Sequence, residues 1–159
     1  MKKLTKLVAL ALFGAITLAG GAQAVPFLQC PGISAFSTSC AVLITINADS
    51  SVMTQFDGSQ GPYDGEEDSL VGVQNNSSAT ISFLTLTGFN IFGFDDDGQQ
   101  AFTGNSFGPT GYEGPQTSFT VVNNNTGNVN FTGGLAAGGS RWFTLEEAPI
   151  ANGFVVTPR

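Results

Sequence analysis

The chain has 159 residues, with 12 acidic residues against 5 lysines and arginines and no histidine, so its formal net charge is −7 at pH 7. A protein this acidic repels phosphates, which argues against nucleic acids and anionic membrane surfaces as partners. Without histidine there is no imidazole base for a Ser-His-Asp or Cys-His hydrolase and no histidine ligand for zinc.

The first 24 residues predict a signal peptide. "MKKLTK" is a short basic segment, "LVALALFGAITLAG" is apolar, and "AQA" before Val25 is a small-residue cleavage site. The apolar run is shorter than the roughly 20 residues that a membrane-spanning helix needs. Cleavage would remove every lysine and leave two arginines against twelve acids, a formal charge of −10. We expect residues 25–159 to form a single exported, soluble domain.

Cys30 and Cys40 are the only cysteines of the sequence. In an exported chain, two cysteines so close together predict one local disulfide. Closing a loop of this length stabilises the fold by somewhat under ~3 kcal/mol. A metal site with two thiolates and no histidine is the weaker alternative.

Short β-prone segments separated by turn signals make up most of the remaining chain, and none has a sustained helical period. Several alternate apolar and polar residues, as half-buried antiparallel strands do. "NADSS", "NNSS" and "NNNTGN" are predicted to be tight turns of the hairpin type. The expected fold is all-β, a single antiparallel β-sandwich of about eight short strands. The predicted strands are 41–47, 51–56, 69–75, 79–87, 117–122, 128–132, 140–145 and 153–157.

The glycine-rich segment "GPYDGEED" is the first candidate metal loop. Asp64, Glu66 and Asp68 are its proposed ligands, with Glu67 and Asp57 in reserve. Carboxylates about 4 Å apart repel by roughly 4 kcal/mol at an effective dielectric near 20, so such a loop either splays into water or surrounds a cation. Ca²⁺ takes six to eight hard oxygen ligands, although the residue order is not that of an EF-hand. The alternative is a solvated acidic loop that protects a strand edge.

The second candidate metal loop is "FDDDG", within a strand-free stretch, 95–116, that is expected to be functional or disordered. Asp95 and Asp97 share one side if the chain is extended there. If both acidic loops lie at the ends of neighbouring strands, they can converge on one structural Ca²⁺. The ligand set predicted from the sequence is Asp64, Glu66, Asp68, Asp95 and Asp97.

Two other kinds of site compete with a metal centre. Catalysis by carboxylates alone, as in glycosidases, needs two carboxyl groups about 5–10 Å apart in a cleft. With neither histidine nor, after cleavage, lysine, a non-enzyme is the expectation. Tyr63, Tyr112 and Trp142 adjoin polar loops or an arginine, and are the candidates for stacking on a sugar.

The blocks "YDGEEDSLVGVQNNS" and "IFGFDDDG" resemble the "YDG-ED-LVGV-NNS" and "IFGFDGDG" blocks of exported bacterial proteins of the PEP-CTERM sorting type. The resemblance continues through "TGYEGPQTSF", "GNVNFTGGLAAGGSRWFTLEEAP" and "VVTP". It implies an all-β secreted domain in a Gram-negative, biofilm-forming, exopolysaccharide-producing bacterium. Here Asp96 replaces a family glycine, and the chain ends at Arg159, where the family continues to a Pro-Glu-Pro motif and a membrane anchor.

These observations predict a non-catalytic protein of the cell surface or the extracellular, exopolysaccharide matrix. It is expected to pass through the periplasm and to keep no stable membrane anchor after signal cleavage. The alternatives are a carbohydrate-binding module and a self-assembling surface or filament subunit. The expected partners are therefore extracellular polysaccharide or further copies of the chain, and neither nucleic acid nor membrane.

Overall fold

The computed structural model describes residues 26–159, which form two four-stranded β-sheets with almost no helix. The signal peptide predicted for residues 1–24 lies outside this range. The all-β sandwich predicted from the sequence is confirmed. Among the described residues, no helix is both long enough and apolar enough to cross a membrane. The elements are β1 (Val42–Ile46), β2 (Val52–Phe56), β3 (Ser69–Asn75), β4 (Ile81–Thr87), α1 (Gln99–Thr103), β5 (Thr117–Asn123), β6 (Thr126–Leu135), β7 (Ser140–Leu145) and β8 (Val155–Pro158).

The first sheet has the strand order β2-β1-β3-β7, and the second has the order β5-β6-β4-β8. All neighbours are antiparallel except β1 and β3, so the prediction of a purely antiparallel sandwich is wrong at this pair. The reason is the β1–β2 hairpin, which returns the chain to the end where β1 began. The loop 57–68 then starts β3 at that same end, on the free side of β1.

Two of the three predicted turns are hairpins. "NADSS" joins β1 to β2, and "NNNTGN" spans the turn between β5 and β6. The third, "NNSS", instead carries the chain from β3 in one sheet to β4 in the other. The Asn75 side chain fixes this crossing, because its amide donates to the carbonyls of Ala79 at 2.8 Å and Leu135 at 2.9 Å.

The core lies between the sheets, where alternate residues of each strand point inward. Burying an aliphatic side chain there contributes about 1.5–3 kcal/mol of hydrophobic stabilisation. The largest contributors include Ile44, Ile46, Val73, Leu84, Leu86, Val129, Phe143 and Leu145.

The disulfide predicted between Cys30 and Cys40 is confirmed and lies on the outer face of the first sheet. Its Cys40 sulfur sits directly over Gly72 of β3, so that a Cβ at this glycine would overlap it. A second apolar cluster therefore covers this face. Its other members include Tyr63, Leu70 and, at its edge, Trp142.

The stretch 95–116 contains α1, which the sequence did not predict because five residues are too few to show a helical period. Hydrogen bonds order this stretch. The Gln100 amide donates to the Gly111 carbonyl at 3.0 Å, and the buried Gln99 side chain donates to the Glu113 carbonyl at 3.0 Å. The stretch thus forms a folded flap beside the acidic loops.

Candidate metal centre

The acidic loops meet at one end of the sandwich because three strand ends lie together there. Asp68 directly precedes β3 and Glu146 directly follows β7, and these antiparallel neighbours pair Ser69 with Leu145. The chain that follows β4 belongs to the other sheet. It is held against the end of β7, because the Glu146 amide donates a hydrogen bond of 3.2 Å to the Ile91 carbonyl.

Six carboxylates from these loops form two groups of three, and either group could hold a metal ion. In each group, one oxygen per residue lies within 4.8 Å of the other two. Charges at this spacing repel by about 3–4 kcal/mol per pair at an effective dielectric near 20. The inner acidic group is Asp64, Asp68 and Asp97, and the outer acidic group is Glu67, Asp95 and Glu146.

Asp64 organises the first loop. Its Oδ1 accepts hydrogen bonds from the backbone amides of Glu66 at 3.1 Å, Glu67 at 3.2 Å and Asp68 at 3.1 Å. The turn also needs Gly65, whose φ of 95° is in a region that side-chain-bearing residues rarely adopt. The loop is thus wrapped around one carboxylate, and Glu67 and Asp68 project from it into different acidic groups.

Asp68 is the most constrained acid of the centre. Its side chain is 1% exposed, and neither carboxylate oxygen has a hydrogen-bond partner. The Tyr63 hydroxyl is buried beside it and interacts with the carboxylate, although not in the geometry of a regular hydrogen bond. Burial raises the pKa of Asp68 to about 9, because the neighbouring Tyr63 hydroxyl offsets it only in part and the charges of Asp97 and Asp64 add to it. A buried carboxylate without partners costs several kcal/mol, so this position calls for a proton or a cation.

Tyr112 connects the two acidic groups. Its hydroxyl lies 2.6 Å from Asp97 Oδ1, 2.7 Å from Glu146 Oε2 and 3.2 Å from Asp95 Oδ1. A phenol has one proton and can donate it to only one of three carboxylates. Burial first, and then these acids, keep the pKa of Tyr112 well above its ordinary value, so the phenol stays neutral. Its ring stacks on Phe94 with centroids 4.4 Å apart.

Two of the predicted ligands lie outside both acidic groups. Glu66 is exposed, and only its backbone contacts Asp64. Asp57 instead closes its own turn, because its Oδ1 accepts from the Ser59 amide at 3.0 Å and from the Ser59 hydroxyl at 2.6 Å. These two hydrogen bonds hold the pKa of Asp57 below its usual value. The structure brings together the other five candidates, namely Asp64, Glu67, Asp68, Asp95 and Asp97.

Glu146 is the acid of the centre that sequence reasoning did not assign to a metal. It is 4% exposed, and burial is the main reason that its pKa is raised. The available signal was its place directly after a predicted strand. That signal became informative only once β7 was known to lie antiparallel to β3, with Leu145 opposite Ser69.

The sugar-stacking prediction is wrong for Tyr63 and Tyr112, which are 1% and 0% exposed. Both rings pack inside the protein. Tyr63 packs edge-on against Phe102, and Tyr112 stacks on Phe94 with its hydroxyl among the acidic groups. Trp142 is half-buried, with Phe107 edge-on to its ring at a centroid distance of 5.7 Å. Neither tyrosine offers the open aromatic face that stacking requires.

The ligand atoms of the centre are all hard oxygens. The sequence has no histidine, and both cysteines are bound in the disulfide, which leaves no nitrogen or sulfur ligand of the kinds that favour zinc or copper. Comparison of the chain with protein-family models, with curated proteins and with solved structures finds no match to any of them.

Proposed function

We propose that the acidic loops bind a structural Ca²⁺ ion and that the protein has a non-catalytic role at the cell surface or in the extracellular polysaccharide matrix. The inner acidic group is the principal ion site in this proposal. The ion replaces the missing partner of Asp68 and cancels the repulsion between loops from the two sheets.

The burial of Asp68 without a hydrogen-bond partner is the observation that supports this proposal most directly. A solvated acidic loop keeps its carboxylates in water, whereas Asp68 is 1% exposed. A carboxylate is stabilised at such a position when a cation shares it with its neighbours. Asp64 and Asp97 each offer an oxygen within 4.8 Å.

The chemistry of the ligands favours calcium over other cations. Ca²⁺ accepts six to eight oxygens in flexible arrangements, whereas Mg²⁺ requires a near-ideal octahedron and retains several waters. The buried position of Asp68 suits an ion that sheds most of its water. Backbone carbonyls of the loop and solvent would complete the coordination.

The disulfide and the acidic composition are compatible with an exported protein whose place outside the cell supplies calcium. The surrounding charge also suits a matrix role better than binding to phosphate-rich partners. Carboxylates engaged in holding an ion are not available as a glycosidase pair, which is why the proposed role is non-catalytic.

A thermal melt of the protein tests the proposal. An ion that binds only the folded state adds about 2.7 kcal/mol at a hundred times its dissociation constant, which corresponds to a rise in Tm on the order of 10 °C. We expect this rise in millimolar Ca²⁺ relative to excess chelator, and a much smaller one in Mg²⁺. Identical melts in Ca²⁺ and chelator would contradict the calcium site.

A further inference from the structure

A polar pocket of about 300 Å³ lies beside the metal centre, between the start of α1 and the segment 109–111. Its volume is at the lower end of the ~300–1,000 Å³ range of small-molecule pockets. Residues from two loops line it, namely Asp96, Gly98, Gln100, Ala101, Pro109, Thr110 and Gly111. No part of the sequence-based ligand or stacking predictions fell on this pocket.

The two walls of the pocket are joined to each other and to the metal centre. The backbone amide of Gln100 donates to the Gly111 carbonyl at 3.0 Å, and a Cβ on Gly98 would overlap Gly111 and the Tyr112 ring. Tyr112 follows directly after one wall, and its hydroxyl contacts Asp97, which precedes the other. The acidic loop and the pocket walls are therefore directly connected.

Asp96 lines the pocket, while its neighbours on both sides belong to the acidic groups. Asp95 is in the outer group and Asp97 is in the inner group. Asp96 has a φ of 83°, which is uncommon for a residue other than glycine, although aspartate tolerates it better than most. One loop thus contributes two acids to the metal centre and one acidic residue to the lining of the pocket.

The lining determines what the pocket can bind. The Asp96 carboxylate and the Gln100 amide are exposed and make no side-chain hydrogen bond within residues 26–159. They accept from hydroxyl groups, and the amide also donates. Neither arginine of the described chain lines the pocket, so a phosphate, sulfate or uronate would meet only negative charge there. Ala101 and Pro109 are the only apolar side chains of the lining, which disfavours a hydrophobic ligand.

We propose that this pocket binds one neutral, hydroxyl-rich unit, such as a single hexose of a polysaccharide, and that the ion in the neighbouring acidic groups fixes its walls. The second half of this proposal rests on the proposed calcium site. The pocket thereby supplies a specific contact to extracellular polysaccharide in place of the aromatic platform expected from the sequence. The sugar hydroxyls would bridge Asp96 and Gln100.

Backbone amide shifts of the ¹⁵N-labelled protein locate binding directly. We would titrate glucose, galactose and mannose at millimolar concentration, with glucuronic acid as the charged control, in Ca²⁺ and in chelator. We expect at least one neutral hexose to shift the amides of Gly98, Gln100 and Gly111 in Ca²⁺. Glucuronic acid should not, and chelator should weaken the response by about tenfold or more, because the walls lose their support.

Variants distinguish this pocket from weak surface binding. Asp96→Asn keeps a residue that tolerates positive φ but loses the charge. Gln100→Ala removes the side-chain amide and keeps the backbone amide that bonds Gly111. Each should weaken binding by roughly fivefold or more, as expected for one lost hydrogen bond. The matched control Gln55→Ala removes an equally exposed amide from β2 and should leave binding unchanged.

The outcomes separate the pocket from the calcium site. Absence of any hexose response in protein whose melt responds to Ca²⁺ would overturn the pocket and leave the calcium site standing. Equal binding in Ca²⁺ and chelator would overturn the coupling. Hexose binding by protein whose melt ignores Ca²⁺ would support the pocket while contradicting the proposed function.

Discussion

At the scale of single residues, Asp68 links the fold to the proposed function. It lies directly before β3, a strand in which six of the seven residues are buried, and it is itself 1% exposed. The residue therefore either binds a proton, at the cost of ion binding, or shares a cation with Asp64 and Asp97. This choice can be tested without disturbing the shape of the side chain.

Asp68→Asn should abolish the calcium response. The substitution preserves side-chain volume but removes the charge and one oxygen ligand of the inner acidic group. We expect the rise on the order of 10 °C in Ca²⁺ to fall to near zero, while the protein in chelator remains folded. Differential scanning calorimetry in Ca²⁺ and in chelator measures both quantities.

Glu66→Gln is the matched control for that variant. It removes one charge from the same loop, but Glu66 is exposed and lies outside both acidic groups. It should keep the calcium response almost intact. If both variants lost the response equally, general loop charge would explain it and Asp68 would not be a specific ligand.

At the scale of elements, the outer face of the first sheet depends on the disulfide and on the one glycine of β3. Gly72 pairs with Trp142 of β7 and with Leu43 of β1. The absence of a side chain there lets the Cys40 sulfur rest on the strand. The N-terminal segment can therefore cover β1, whose five residues are all buried.

Gly72→Ala should destabilise the fold by about 1–3 kcal/mol, as overpacking of a filled site does. The free energy of unfolding in urea measures the loss. Gly58→Ala is the control, because a Cβ there meets nothing within 4 Å. In a Cys30→Ala, Cys40→Ala background the Gly72 substitution should cost less. An equal cost in both backgrounds would show that the sulfur is not what excludes the methyl group.

At the scale of the whole molecule, the fold concentrates negative charge at one end. The described residues hold all twelve acids and two arginines, and six of those acids form the two acidic groups. Folding thus brings together charges that the unfolded chain keeps apart. The resulting cost depends on pH and on any cation present.

Without calcium, the protein should lose stability as the pH rises from about 4 to 9. The pKa of Asp68 is about 9 in the folded protein and near 3.8 when unfolded, so the folded state binds the extra proton throughout this window. The raised pKa of Glu146 acts in the same direction. Urea unfolding at pH 5, 7 and 8.5 in chelator should therefore give a falling free energy of unfolding.

Saturating Ca²⁺ should flatten this pH profile, because the ion takes the place of the proton and binds more tightly as the carboxylates ionise. The comparison at pH 8.5 should show the largest calcium effect of the three conditions. Stability in chelator that is constant or rises over this window would contradict the raised pKa of the buried Asp68.

The sequence by itself determined the features that depend on neighbouring residues. Alternation of apolar and polar residues located eight strands, and the spacing of Cys30 and Cys40 predicted their disulfide. Local composition also identified both acidic loops. Each of these depends on contacts within a few positions of the chain, which a single sequence displays directly.

Only the tertiary structure decided which side chains meet. Glu146 joined the acidic residues because the antiparallel pairing of β3 and β7 places the end of β7 beside the start of β3. Tyr112 is buried with its hydroxyl among these acids rather than exposed. Glu66 lies outside both groups, because its backbone amide donates to the Asp64 carboxylate while its side chain is exposed. These contacts join segments tens of residues apart. Their geometry depends on strand pairing and sheet packing, which local residue patterns do not specify.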